Sequence, residues 1–132
     1  MRKIFFFVPL LLLYSCHKEI QELGPLQLGT YTGYFLRSAP FVRAYPIDIT
    51  IIFNDNKFSG NRTSSNTSQI CDGTYLLKDK KIIFYNSCKS PLDLESSGIL
   101  SGSYKIEIDE NKIFFTRSNS DQFTDTYSLI KQ

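Results

Sequence analysis

The fold is decided by a strictly alternating stretch, LSGSYKIEID, at residues 100–109. Apolar or small residues occupy every second position, and polar or charged residues lie between them. A period of two is typical of a β-strand that buries one face. Residues 46–53 repeat the pattern, and no segment has the period of an amphipathic helix. The sequence predicts eight strands, at about residues 29–36, 46–53, 57–62, 71–78, 81–87, 100–108, 112–117 and 122–130.

Three short polar connections, at residues 54–56, 79–80 and 109–111, join consecutive strands. Their Asn and Asp residues suit tight turns because they tolerate positive φ and bond to nearby backbone. Gly33, Gly73 and Gly102 lie within strands, where glycine often marks a bend or a close backbone approach. Eight strands in a meander bury their edges by closing. We therefore expect an all-β, eight-stranded antiparallel up-and-down barrel, with an open β-sandwich as the alternative.

The first fifteen residues have the pattern of a signal peptide. Arg2 and Lys3 precede an apolar run at residues 4–13, which is about half the roughly 20 residues that span a bilayer. Removal of residues 1–15 leaves 117 residues, with 13 basic and 13 acidic side chains. The remaining chain has no stripe of basic residues that would indicate nucleic-acid binding. The predicted organisation is a signal peptide at 1–15, a tether at 16–28 and a barrel domain at 29–132.

Two parts of the chain resemble known lipoproteins. Leu13-Tyr14-Ser15-Cys16 resembles a lipobox, and residues 17–22 resemble the export tag of Bacteroidota surface lipoproteins. The Gly-x-Tyr strand starts, Gly73-Thr74-Tyr75 and Gly102-Ser103-Tyr104, and the repeated hairpin phrases resemble the lipocalin-like, calycin-type barrels of small Bacteroidota lipoproteins, although Gly29-Thr30-Tyr31 has Tyr where true lipocalins have Trp. The resemblance implies lipidation of Cys16 and an outer-membrane location, either periplasmic or surface-exposed.

The two remaining cysteines face one another across a predicted hairpin. Cys71 and Cys88 each lie eight residues from the turn Asp79-Lys80. Strand alternation places them in a non-hydrogen-bonded pair, with Cα atoms about 4.5 Å apart, a distance that a disulfide accepts. The sequence therefore predicts a Cys71–Cys88 disulfide, and two reduced buried cysteines are the alternative.

The sequence offers little catalytic chemistry. His17, the single histidine, lies on the tether, so the domain holds no Ser-His-Asp or Cys-His set. We expect no enzyme activity, no cofactor and no metal site. Asp125 is less ordinary because it shares the predicted inward face of Phe123, Tyr127 and Leu129. It is expected to be a polar group inside a cavity, unless a bulge turns it outward.

The alternation of an up-and-down barrel also predicts an orientation. The long connections at about 37–45, 63–70, 88–99 and 118–121 share the end opposite the tether, and binding residues usually lie on such loops. We select Arg37, Phe41, Arg43 and Tyr45, together with Asp125, as candidate ligand- or partner-binding residues. The alternative is a lid whose Phe41 and Tyr45 plug the barrel.

The leading functional prediction is a membrane-anchored, non-enzymatic module that binds a small apolar molecule, a glycan or a protein. The first alternative is an interaction or inhibitor barrel with a filled core, since Ser101-Gly102-Ser103-Tyr104 partly resembles lysozyme-inhibiting lipoproteins. The second is a structural envelope lipoprotein. An apolar interior pocket of about 300 Å³ or more would favour the small ligand, and a packed interior would favour recognition by the loops.

Overall fold

The eight strands close into one antiparallel barrel in chain order, and the first strand pairs with both the second and the eighth. The computed structural model describes residues 24–62, 70, 72–87, 100–119 and 122–132. The prediction of a closed up-and-down barrel is confirmed, and each predicted strand end is correct to within two residues. The strands are β1 Gly29–Ser38, β2 Ile47–Asn54, β3 Lys57–Arg62, β4 Gly73–Lys78, β5 Lys81–Asn86, β6 Gly102–Asp109, β7 Lys112–Ser118 and β8 Thr124–Lys131.

Three two-residue turns form one end of the barrel, here called the tight-turn end. Asp79 and Lys80 have φ values of 52° and 59°, as a type I′ turn requires. The other two turns are one residue shorter than expected, because Asn54 pairs with Lys57 and Asp109 pairs with Lys112. The longer connections lie at the opposite end, here called the long-loop end.

Aromatic side chains fill the interior of the barrel. Nine rings form one connected network in which neighbouring centroids are 4.5 to 6.4 Å apart. Such separations favour edge-to-face and offset contacts. Among the described residues, the buried apolar side chains run from Tyr31 to Leu129, and they come from all eight strands and the segments beside them. The rings belong to Tyr31, Phe35, Phe53, Phe58, Tyr75, Phe84, Tyr104, Phe115 and Tyr127.

Two glycines allow neighbouring strands to approach closely, as predicted. A Cβ atom added to Gly33 would lie 2.0 Å from the carbonyl oxygen of Ser128 on β8. One added to Gly73 would lie 2.0 Å from the carbonyl oxygen of Tyr85 on β5. No side chain fits at these distances, so both positions require glycine for the strand curvature.

The segment before β1 crosses the tight-turn end. Leu26 packs against the core, and the hydroxyl of Tyr31 donates to the carbonyl of Gln27 at 2.8 Å. Gly24 lies beneath β6, where an added Cβ would be 4.0 Å from Cγ2 of Ile108. The chain therefore reaches the barrel at the predicted end, opposite the loop at residues 39–46. No helix in the described part of the chain is long and apolar enough to cross a membrane.

Candidate functional site

A row of three charged side chains lies inside the barrel at the long-loop end. Asp125 on β8 is directly opposite Arg37 on β1 and Arg117 on β7. Arg37 donates to both carboxylate oxygens, from Nε at 2.6 Å and from Nη2 at 2.8 Å. Arg117 donates more weakly, from Nη2 at 3.5 Å. This charged row, Arg37–Asp125–Arg117, joins the ends of three strands.

The carboxylate at the centre of the charged row is buried and ionised. Asp125 is 1% exposed, which places it on the inward face, and no bulge turns it outward. Burial by itself raises the pKa of a carboxyl group. The hydrogen bonds and charge of Arg37, with Asn119 at 3.3 Å and Arg117, outweigh burial and hold the pKa of Asp125 below its usual value. The hydrogen bond to Asp125 also raises the pKa of Arg37.

Aromatic rings support both arginines. The guanidinium carbon of Arg117 lies 4.4 Å from the ring centroid of Tyr104, and that of Arg37 lies 5.6 Å from the centroid of Phe123. Cation–π contacts of this kind stabilise a partly desolvated guanidinium. Arg117 also donates from Nη1 to the carbonyl of Ser101. Each guanidinium of the charged row therefore contacts an aromatic ring as well as the carboxylate of Asp125.

The loop after β1 begins with a tight turn at Ala39–Val42. The amide of Val42 donates to the carbonyl of Ala39 at 3.3 Å, and Pro40 and Phe41 are the central residues. Phe41 has a φ of 65°, in the region that a turn of this kind usually reserves for Gly or Asn. Its side chain is fully exposed, and Tyr45 is 70% exposed. The alternative in which these two residues plug the barrel is therefore wrong.

The candidate residues divide into two groups. Arg37 and Asp125 bind one another inside the barrel, whereas Phe41, Arg43 and Tyr45 are exposed on the loop above. Cys16, the predicted lipidation site, lies outside the described residues, and so do Cys71 and Cys88, the predicted disulfide pair. The amide of Ser87 donates to the carbonyl of Asp72 at 2.9 Å, so the hairpin keeps the predicted register up to their neighbours.

Two residues that contact Asp125, Arg117 and Asn119, were not among the candidates. Arg117 follows Ile113 and Phe115 at alternating positions of β7, and both of these are buried. The alternation therefore predicts that the side chain of Arg117 also points into the barrel. Asn119 lies just beyond the strand, where alternation carries no information, and no sequence signal indicated it.

Two clefts of about 330 and 320 Å³ lie on the outer wall, one over β2 and β3 and the other over β6, β7 and β8. Within the described ranges, no three His, Cys, Asp or Glu side chains are grouped to hold a metal ion. Comparison of the chain with protein-family models, with curated proteins and with solved structures found no match.

Proposed function

We propose that this chain is a lipoprotein, anchored through Cys16, whose barrel is a non-enzymatic interaction module that binds a protein at its long-loop end. An eight-stranded barrel is consistent with a binding module. The observation that carries the proposal is the exposed Phe41, held on left-handed backbone at the tip of the Ala39–Val42 turn.

Phe41 is an unfavourable choice for folding alone. A non-glycine residue in left-handed backbone costs roughly 1–2 kcal/mol. Its side chain recovers none of this by burial, because it is fully exposed. Strained residues of this kind concentrate at functional sites. A bound partner would bury the ring and so compensate for the cost.

The surroundings of Phe41 suit protein recognition. Val42 and Tyr45 are exposed beside it on the same loop, and Arg43 supplies a positive charge. Large aromatic side chains and arginine dominate binding hot spots. The charged row fixes the end of β1, from which the loop projects, so the loop starts from a rigid base. A preorganised loop loses less conformational entropy on binding.

The filled interior favours a protein over an apolar small molecule. A small ligand needs an apolar pocket that encloses most of its surface. The connected aromatic rings occupy the barrel axis, and the two described clefts are on the outer wall. We therefore prefer the interaction or inhibitor barrel with a filled core to a carrier of apolar molecules.

Site-specific photo-crosslinking in intact cells tests the binding surface. A photoreactive phenylalanine replaces Phe41 in one variant and Tyr85, an exposed aromatic residue on the outer wall, in a matched control. We expect a discrete adduct of higher mass from position 41, and its loss when Tyr45→Ala is added. Adducts from position 85 but not from position 41 would contradict the proposal.

The lipid anchor needs a separate test. We expect labelled palmitate to enter the wild-type chain, and Cys16→Ser to abolish incorporation and leave the precursor uncleaved. Equal labelling of the variant would show that acylation takes place elsewhere.

A further inference from the structure

A second charged row crosses the outside of the barrel, near the tight-turn end. Lys81 on β5 is directly opposite Lys78 on β4 and Lys105 on β6. All three side chains are exposed, and Lys80 projects from the adjoining turn. These four residues, Lys78, Lys80, Lys81 and Lys105, are here called the lysine row.

The lysine row is not explained by the stability of the fold. Like charges directly opposite one another on neighbouring strands are destabilising. The ion pairs in the described part of the chain involve Asp125, and none includes a member of the row. The neighbouring carboxylates are Asp79 in the turn and Glu107 on β6, so four ammonium groups face two carboxylates. The row is therefore a surface with an excess of positive charge.

The position of the lysine row relates it to the tether. The chain crosses the tight-turn end from Gly29 to Gly24, which lies beneath Ile108 of β6. Lys105 is on that same strand. Cys16 precedes Gly24 by eight residues, which span at most about 28 Å when extended. A lipid attached at Cys16 would therefore hold the tight-turn end, near which the row lies, within about 28 Å of the membrane surface.

We propose that the lysine row binds the anionic phospholipid headgroups of the membrane that holds Cys16. This inference rests on the anchoring half of the proposed function. Each Lys near an anionic surface strengthens binding about fivefold. Contact through the lysine row sets the orientation of the barrel relative to the membrane. It holds the tight-turn end against the membrane surface, so Phe41 points away from it. The acyl chains supply attachment, and the lysines supply orientation.

Vesicle sedimentation tests the row without the lipid. The chain from residue 17 onward, which contains all eight strands, is mixed with phosphatidylcholine vesicles with or without phosphatidylglycerol. We expect binding that requires phosphatidylglycerol and weakens with added salt, because salt screens exposed charges. The variant Lys78→Glu/Lys81→Glu/Lys105→Glu should bind about a hundredfold more weakly. The matched control, Lys57→Glu/Lys112→Glu/Lys131→Glu, changes the net charge equally at the same end and should bind much more strongly than the row variant.

A single substitution separates loss of binding from loss of folding. Lys81→Glu places a carboxylate between two lysines, so it should raise the melting temperature and still weaken vesicle binding. Equal binding by the row variant and the control, or binding that ignores phosphatidylglycerol, would overturn the inference. Acylation and the Phe41 crosslink do not enter this assay, so its failure leaves the proposed function to be judged by its own tests.

Discussion

The guanidinium of Arg37 donates two hydrogen bonds to the carboxylate of Asp125, although the residues are 88 positions apart in the chain. Such bidentate pairs are among the strongest hydrogen bonds in proteins. The pair joins β1 to β8, the two strands that close the barrel. Arg117 reaches the same carboxylate from β7. One carboxylate therefore binds the guanidinium groups of two arginines at the point where β1 and β8 close the barrel.

Loss of the carboxylate should destabilise the fold. Asp125→Ala leaves two half-buried guanidinium groups without their shared partner, and breaking a buried pair costs about 3 kcal/mol or more. Urea unfolding should show this loss in the free energy of unfolding. Asp48→Ala, on the exposed face of β2, should change it by less than about 0.5 kcal/mol. Equal effects would mean that the pair contributes nothing.

The same carboxylate should make stability depend on pH. Its pKa is below the usual value in the folded chain, so the unfolded chain takes up the proton first as the pH falls. The stabilisation is complete above the unfolded pKa of about 3.9 and is lost as the pH falls through the folded pKa. Unfolding curves at several pH values should therefore show a steeper acid loss for the wild type than for Asp125→Asn. Parallel curves would contradict the assignment.

Alanine should be poorly tolerated at the close strand crossings. Gly33→Ala and Gly73→Ala place a methyl group against backbone oxygens that cannot move without disturbing the sheet. Each should lower the free energy of unfolding by about 3 kcal/mol, at the high end for overpacking. Gly24→Ala is the matched control, since its nearest contact is 4.0 Å away. Calorimetric melting should show little change for this control.

Binding and stability should move in opposite directions at position 41. Asn tolerates left-handed backbone better than Phe, so Phe41→Asn should raise the free energy of unfolding by about 1 kcal/mol. The same change removes the exposed ring and should weaken partner binding. Chemical denaturation measures the first effect, and competition with the crosslinking variant measures the second. A destabilised variant would mean that the ring supports the loop.

The hairpin register supports the predicted Cys71–Cys88 disulfide. Asp72 and Ser87, the neighbours of the two cysteines, are joined by a backbone hydrogen bond. Mass spectrometry of the oxidised chain should find it two hydrogens lighter than the reduced chain. Replacement of both cysteines by serine should cost about 3 kcal/mol in the chain-entropy model. Free thiols at both positions after aerobic purification from the periplasm would refute the prediction.

The fold was largely predictable because the patterns that determine it lie within single strands and the short turns between them. Alternation along β2 and β6 placed the strands, and short polar turns between consecutive strands determined their partners. The two ends of the barrel followed from the alternation of its connections. The inward position of Asp125 was available in the same way, from its spacing to Tyr127 and Leu129.

The partners of Asp125 could not be predicted, because they depend on long-range register. No short turn joins β1 to β8, so nothing in the sequence sets Arg37 opposite Asp125. The filled interior depends on how rings from several strands interleave, which strand-by-strand alternation does not determine. The left-handed backbone of Phe41 is likewise set by the closure of its turn and runs against the preference of phenylalanine.

The closure of β1 on β8 makes the completion of the domain depend on the order of synthesis. Each other pairing joins strands that follow one another, so hairpins can form as the chain grows. One edge of β1 stays unpaired until β8 has been synthesised, and an open edge invites association with other chains. A chain that stops before Thr124 lacks both the strand that covers β1 and the carboxylate that holds Arg37. The edge of β1 is therefore covered only after β8 has paired with it.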